Sequence, residues 1–428
     1  MKKVFIQQVR AREIINGRGI PAVEAELFTS NGGRYIASSP SGVSTSSHEA
    51  VEIRDGGRRM MGKGVQRAVG NILKVMGPAI AGMDVADQRA IDSRLLELDG
   101  TPNKSKLGGN AVTAVSLAVA RAGAASAGLP LYRYLGRAKA CSLPIVCPNM
   151  ISGSKTAGNE IDFEDYLLVP FGFRNLRQAI FAAVEVFHAL HRMLESAFGL
   201  IPQITALAPP LKTTEEVLQF ITRAIEQCEY EGKIGMGIDA AANNFYDETS
   251  DRYRLRRGSV TRDDLINYYA SLTKSYPIIF LEDGLHENDF EGFGELTRRV
   301  ACLVVGDDLF ATNKNRLIQG AEQYSLNGAL FKLNQAGTVS EFLEAAEVAK
   351  RHYYTIVGSV RSGETEDAGQ ADLAVAIGAD YFKLGAPVRG EMITKYNQLL
   401  RIEEELGDAA TFQGRKDNFR HLRHSSAV

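Results

Sequence analysis

From Ile234 onward the sequence repeats one arrangement, a short apolar run that ends in a charged or anion-binding residue. Asp239 closes Met236-Gly237-Ile238, Glu282 and Asp283 close Ile279-Phe280-Leu281, and Asp307 and Asp308 follow Val304-Val305-Gly306. Lys332 lies in Leu330-Phe331-Lys332-Leu333, Ser359, Arg361 and Ser362 follow the run Tyr354 to Val357, and Lys383 lies in Phe382-Lys383-Leu384. The runs Ile234 to Ile238, Ile278 to Leu281, Cys302 to Val305, Ala329 to Leu333, Tyr354 to Val357 and Asp380 to Leu384 read as strands, the later ones recurring about every 25 residues. Between strands, Thr213-x-x-Glu216 and Thr338-x-x-Glu341 fit the capping box, which predicts helices over Glu215 to Cys228 and Ser340 to Lys350. Strands alternating with helices at this spacing predict an α/β barrel, in which strand ends converge on one mouth.

Three carboxylates, two lysines and an arginine would then meet in one place. A ring of salt bridges is the structural alternative, but burying so many charges for stability alone returns little. Asp239, Glu282 and Asp307 make a hard, all-oxygen set of the kind that selects Mg²⁺ over zinc or copper. A lysine beside such a cation is pushed toward its neutral form and can take a proton from carbon, and Lys332 is the candidate base. Arg361 with Ser359 and Ser362 suits a phosphate or phosphonate group, and Lys383 can neutralise a carboxylate next to the metal.

The first third of the chain differs. Alternation in Ala22 to Phe28, the turn Ser30-Asn31-Gly32-Gly33 and resumption at Arg34 to Ala37 predict a hairpin, followed by helical patterns over Gly64 to Met76, Val85 to Leu98 and Asn110 to Ala125. Strands first and helices after predict an α+β domain over 1–137, ahead of a barrel over 143–415 and a mobile tail over 416–428 that carries His421 and His424. A net charge of -2 gives no reason to expect nucleic acid or an anionic membrane as partner. Val4 to Ile6 is too short an apolar run for a secretory signal, and Arg121 interrupts the Ala-rich stretch Val112 to Ala125, so a cytoplasmic protein is expected. Cys141, Cys147, Cys228 and Cys302 show no metal spacing and read as reduced, mostly buried thiols. Gly153-Ser154-Lys155-Thr156 and Gly62-Lys63-Gly64 lack the glycine pattern of a phosphate-binding loop, and Glu185 and His188 fit the outer or packing face of a helix.

Longer motifs resemble the enolase family over nearly the whole chain. They are Ala11-Arg12-Glu13-Ile14 with Arg18-Gly19 and Pro21, Ser41-Gly42-Val43-Ser44-Thr45, Leu98-Asp99-Gly100-Thr101, Leu281-Glu282-Asp283-Gly284-Leu285, Gly306-Asp307-Asp308-Leu309-Phe310, Arg361-Ser362-Gly363-Glu364-Thr365-Glu366-Asp367 and Tyr396 to Gly407. The resemblance implies an eightfold barrel of enolase type capped by the N-terminal α+β domain, a homodimer or higher homo-oligomer, and a small phosphorylated or phosphonylated carboxylic acid as partner. It implies Asp239, Glu282 and Asp307 as ligands of a first Mg²⁺, Ser44 as a ligand of a second with substrate bound, and Lys332 as the base. Lys383 would bind the substrate carboxylate, and Arg361 with Ser362 the phosphate.

The departures from the family pattern are concentrated at the site. Ile204 stands where the family places a glutamate that helps expel the β-hydroxyl, Asp165 replaces its longer partner carboxylate, and Thr156 and Val360 replace two loop histidines. A positioned general acid contributes roughly 10²- to 10⁴-fold, so its loss separates enol formation from departure of hydroxide. This predicts altered acid/base chemistry on a phosphate- or phosphonate-bearing three-carbon acid, as in the enolase-like carboxyphosphonoenolpyruvate synthase of phosphonate antibiotic pathways. Two alternatives stay open: an ordinary enolase converting 2-phosphoglycerate to phosphoenolpyruvate with Asp165 or Glu164 supplying the proton, and a catalytically silent relative with a structural or interaction role.

Overall fold

Residues 3–42, 45–137 and 140–414 are described by a computed structural model of the chain, with the main chain only at Lys155 and Thr156. The predicted hairpin is part of a three-stranded antiparallel meander, β1 (Ile6–Ile15), β2 (Pro21–Thr29) and β3 (Arg34–Ser39). Its tight turn is closed by Asn31, whose Oδ1 accepts from Thr29 Oγ1 at 2.6 Å and from the Gly33 amide at 3.2 Å. One helix, α2 (Gly109–Ser126), covers the sheet, and α1 (Gln88–Asp99), capped by Asp87 and ended by Gly100 at φ 70°, packs against α2. The small side chains of α2 let it lie buried against β2 and β3. Its Arg121 pairs with Asp367 at 2.5 Å, tying the N-terminal unit to the rest of the chain. The stretch predicted as one helix from Gly64 begins instead at Gln66 and carries a π-helical turn over Ile72–Met76.

The second unit is a closed barrel of β4 (Ile145–Ser152), β5 (Asp165–Pro170), β6 (Ile234–Asp239), β7 (Ile278–Glu282), β8 (Leu303–Gly306), β9 (Gly328–Phe331), β10 (Thr355–Ser359) and β11 (Tyr381–Leu384). Apolar residues such as Met236, Phe280, Val304, Leu330, Val357 and Phe382 are fully buried, so the strands read as nearly continuous hydrophobic runs. The ring closes by pairing of β11 with β4 and of β5 with both β4 and β6. One strand departs from simple βα repetition: β5 runs antiparallel to both neighbours. Its first residue, Asp165, therefore lies at the same rim as the last residues of the other strands, opposite Ser152 and Asp239 in register.

Of the two capping boxes, the one at Thr213 is complete: its hydroxyl accepts from the Glu216 amide at 3.2 Å and Glu216 Oε2 accepts from the Thr213 amide at 3.1 Å. At Thr338 only half forms, because Glu341 takes the threonine hydroxyl at 2.8 Å and its other oxygen pairs with Lys104 at 2.7 Å. That glutamate is spent on holding the N-terminal unit. No helix among the described residues is long and apolar enough to cross a membrane. The four cysteines are free, with Cys147 and Cys302 buried and Cys141 and Cys228 half-buried.

Candidate active site

Strand order fixes which side chains meet. Around the rim run Asp165, Asp239, Glu282, the Asp307 turn, Lys332, the Ser359–Arg361 segment, Lys383 and Ser152, from β5, β6, β7, β8, β9, β10, β11 and β4 in turn. Four carboxylates thus come from four adjacent strands, and the cations follow on the next three. Strand β9 ends at Phe331, so Lys332 stands just past the strand rather than within it, and it begins a short helix over Leu333–Ala336. Asp165, Glu164, Asp239, Asp307, Lys332, Ser359, Arg361, Ser362 and Lys383 line one cavity at this mouth. Glu282 lies directly beneath, fully buried.

Charges are paired across this ring. Lys332 Nζ contacts Asp307 Oδ2, and Gln335 Nε2 donates to Asp307 Oδ1 at 2.8 Å. Burial works to lower the Lys332 pKa, but the surrounding carboxylates, Asp307 foremost and then Glu282, together hold the ammonium above its usual range. Lys383 contacts Asp239 and lies 2.8 Å from Glu282 and 3.9 Å from Asp165. Burial also opposes its charge, and these three carboxylates raise its pKa well above normal. Asp165 is pushed up to about 6, by burial first, with Lys383 opposing and Asp239 adding to the rise. Its Oδ1 accepts from Asn149 Nδ2 and from Ser152 Oγ at 3.1 Å.

Glu282 is fully buried, and its one polar neighbour at close range is Lys383, 2.8 Å from Oε2; neither of its oxygens otherwise receives a hydrogen bond. Burial, then Asp239, pushes its carboxyl far above the ordinary range. A buried carboxylate left in this state is what a hard cation would satisfy. Oxygens of Glu282, Asp283 and Asp307 lie within 4.8 Å of one another, so the closest cluster includes Asp283 in place of Asp239, which is drawn to Lys383. Asp283 is otherwise committed: its oxygens accept the amides of Asp307 and Asp308, each at 2.9 Å. The expected set Asp239, Glu282 and Asp307 shares Glu282 and Asp307 with this cluster.

Arg361 is buried and forms a two-pronged pair with Glu49 of the N-terminal unit, at 2.5 and 3.2 Å. Burial disfavours its charge, but Glu49 more than restores it and raises the pKa. Gly42 packs against the same guanidinium: a Cβ there would lie 1.7 Å from Nη2, so only glycine lets the chain pass so close. Ser359 is buried, its hydroxyl bonding the Val360 carbonyl at 3.3 Å, whereas Ser362 faces the cavity. Glu164 also faces the cavity and accepts from Asn244 at 2.9 Å. Ser44 and the tail with His421 and His424 lie outside the described residues, as does the side chain of Thr156.

Comparison with known proteins decides the family. Residues 6–135 match the family described as "Enolase, N-terminal domain" and residues 140–421 match "Enolase, C-terminal TIM barrel domain". The chain is 48% identical to the enolase of Methanopyrus kandleri over 422 residues, covering 97% of this chain and 99% of that one. It is 45% identical to the enolase of Methanocaldococcus jannaschii over 419 residues, 97% of this chain and 98% of that one, and 46% identical to that of Thermococcus gammatolerans over 420 residues, 96% and 97%.

The chain belongs to the enolase family. It is therefore an enolase-superfamily enzyme, a lyase, of a family that uses Mg²⁺. The comparisons favour the ordinary-enolase reading over a carboxyphosphonoenolpyruvate synthase or other transferase, for which nothing in them speaks. Ile204, which the resemblance sets against a family glutamate, does not line the cavity, and its carbonyl accepts from Arg389. The next residue, Thr205, reaches the cavity instead. Thr205, Asn149, Gln335 and Glu49 escaped the sequence reading because uncharged or remote residues carry no strand-end signature. Only the motif position of Glu49, just after Gly42, offered a signal.

Proposed function

We propose that this enolase-family chain interconverts 2-phosphoglycerate and phosphoenolpyruvate, with Asp165 in the acid role. The observation that carries the reading is the ring order: Asp165 and Lys332 belong to strands four places apart in an eight-stranded barrel, on opposite sides of the mouth. A base on one side and an acid on the other is what removal of a proton and a hydroxyl from adjacent carbons requires.

Lys383 receives the substrate carboxylate, and Arg361 with Ser362 receives the phosphate, which shares the guanidinium with Glu49. Asp239, Glu282 and Asp307 hold Mg²⁺, which when bound supplies the positive charge that stabilises an enediolate. Ser44 is assigned to a second Mg²⁺ by resemblance. Lys332 would have to be neutral to act, a state that a cation held by Asp239, Glu282 and Asp307 would favour; it would then take the proton alpha to the carboxylate, and the C–H electron pair would move into the enediolate. That pair then forms the new carbon–carbon double bond as the bond from the β carbon to oxygen breaks. Asp165 gives its proton to the departing oxygen, which leaves as water. Glu164 is the second cavity carboxylate, but its oxygen is held by Asn244, so the acid role falls to Asp165. The fold, the free thiols and the family fit a cytoplasmic homo-oligomer.

The test is turnover of 2-phosphoglycerate with Mg²⁺ present. Phosphoenolpyruvate formation that stops on chelation is expected, and absence of both product and exchange of the alpha proton would refute the reading.

A further inference from the structure

A chain of hydroxyls connects Asp165 to the cavity, and its direction can be read from the donor count. Asp165 Oδ1 accepts from both Asn149 Nδ2 and Ser152 Oγ, the latter at 3.1 Å. Ser152 has one proton, and it is used there. Ser152 Oγ also accepts the second Asn149 N–H at 2.8 Å. The contact between Ser152 Oγ and Thr205 Oγ1, 2.7 Å long, admits either hydroxyl as donor, and with the Ser152 proton on Asp165 the assignment makes Thr205 the donor. Ser152 is fully buried and Asn149 nearly so, which leaves water no part in reversing this order. Thr205 has spent its only proton and lines the cavity with a lone pair free.

We infer that Thr205 is a specificity-determining residue that accepts a hydrogen bond from a hydroxyl of the substrate. The assignment rests on the proposed reaction, whose substrate carries one such donor, the β-hydroxyl, next to its carboxylate and phosphate. It also accounts for the loss of a glutamate at Ile204 without loss of polarity at the mouth, because the neighbouring threonine supplies an acceptor that Ser152 and Asn149 orient. A site that pairs a substrate hydroxyl discriminates against an analogue lacking it.

The test compares binding of 2-phosphoglycerate and of 2-phospholactate, in which hydrogen replaces the β-hydroxyl, to the Mg²⁺-loaded full chain by calorimetry. Thr205→Val, close in shape, should weaken 2-phosphoglycerate by roughly three- to tenfold, the size of one neutral hydrogen bond, and leave 2-phospholactate unchanged. Thr205→Ser should restore the difference, which a merely structural role would not require. Equal shifts for both acids, or none, would overturn the assignment while leaving the proposed reaction intact. Failure of the unaltered protein to bind either acid would overturn the reaction and the assignment together.

Discussion

Lys332 and Asp165 face each other across the barrel mouth because β5 runs against its neighbours and so brings its first residue, not its last, to the rim. Between them, on one side, lie Asp239, Glu282 and Asp307, and on the other Arg361 and Lys383. In the proposed reaction this arrangement would separate removal of a proton from expulsion of an oxygen, with charge of opposite sign on the two flanks.

Lys332→Ala should abolish exchange of the alpha proton of 2-phosphoglycerate with deuterated solvent, by roughly 10²-fold at least. Mg²⁺ binding should persist, since Asp307 keeps its support from Gln335 at 2.8 Å. Exchange followed by proton NMR, with calorimetry for the metal, checks both halves. Undiminished exchange would remove Lys332 as the base.

Glu282 makes metal binding visible without turnover. Its buried carboxylate, with Lys383 alone nearby to offset its charge, implies that Mg²⁺ stabilises the fold, by about 2.7 kcal/mol at a hundredfold excess over Kd. Thermal unfolding of the wild type should rise by several degrees with Mg²⁺. Glu282→Gln should be insensitive to Mg²⁺ while remaining folded, because the amide needs no cation.

The Arg361–Glu49 pair is buried on both sides, so removing Glu49 takes away the carboxylate that most favours a buried guanidinium charge. Glu49→Ala should destabilise the protein by about 3–5 kcal/mol, measured by urea unfolding. The double variant Glu49→Ala with Arg361→Met should recover part of that loss. Glu49→Ala within experimental error of wild type would show the guanidinium to be hydrated.

Far from the metal site, Asp372 titrates at about 6, raised by burial against the pull of Arg121, and it accepts from Gln398 at 3.1 Å. The folded state therefore holds a proton that the unfolded chain, with a carboxyl near 3.8, gives up. Its contribution is complete below about pH 4 and fades as pH rises through 6, on the order of 2–3 kcal/mol in all. Asp372→Asn should flatten the stability profile across that window. A profile unchanged by the substitution would assign the pH dependence elsewhere.

Much of this was legible in the sequence because each strand announces its mouth end with a charged residue, as at Asp239, Glu282 and Lys383. The antiparallel pair was not. Pro148 interrupts the run that becomes β4, and a proline counts against a buried strand, while β5 starts with the charge that other strands finish with. The candidate metal ligands and base were readable as residue types; the hydroxyl chain through Ser152 and Thr205 was not, since it exists only once β4 and the loop after α3 (Leu176–Phe198) come together. Glu341 shows the converse, a clear capping signal partly overridden by a partner, Lys104, that is distant in sequence.

The most direct test of the division of labour across the mouth is Asp165→Asn, followed at once by solvent deuterium exchange into 2-phosphoglycerate and by formation of phosphoenolpyruvate. Product formation should fall by roughly 10²- to 10⁴-fold while exchange at the alpha carbon continues near the wild-type rate. Loss of both in equal measure, or of neither, would contradict the placing of acid and base on opposite sides.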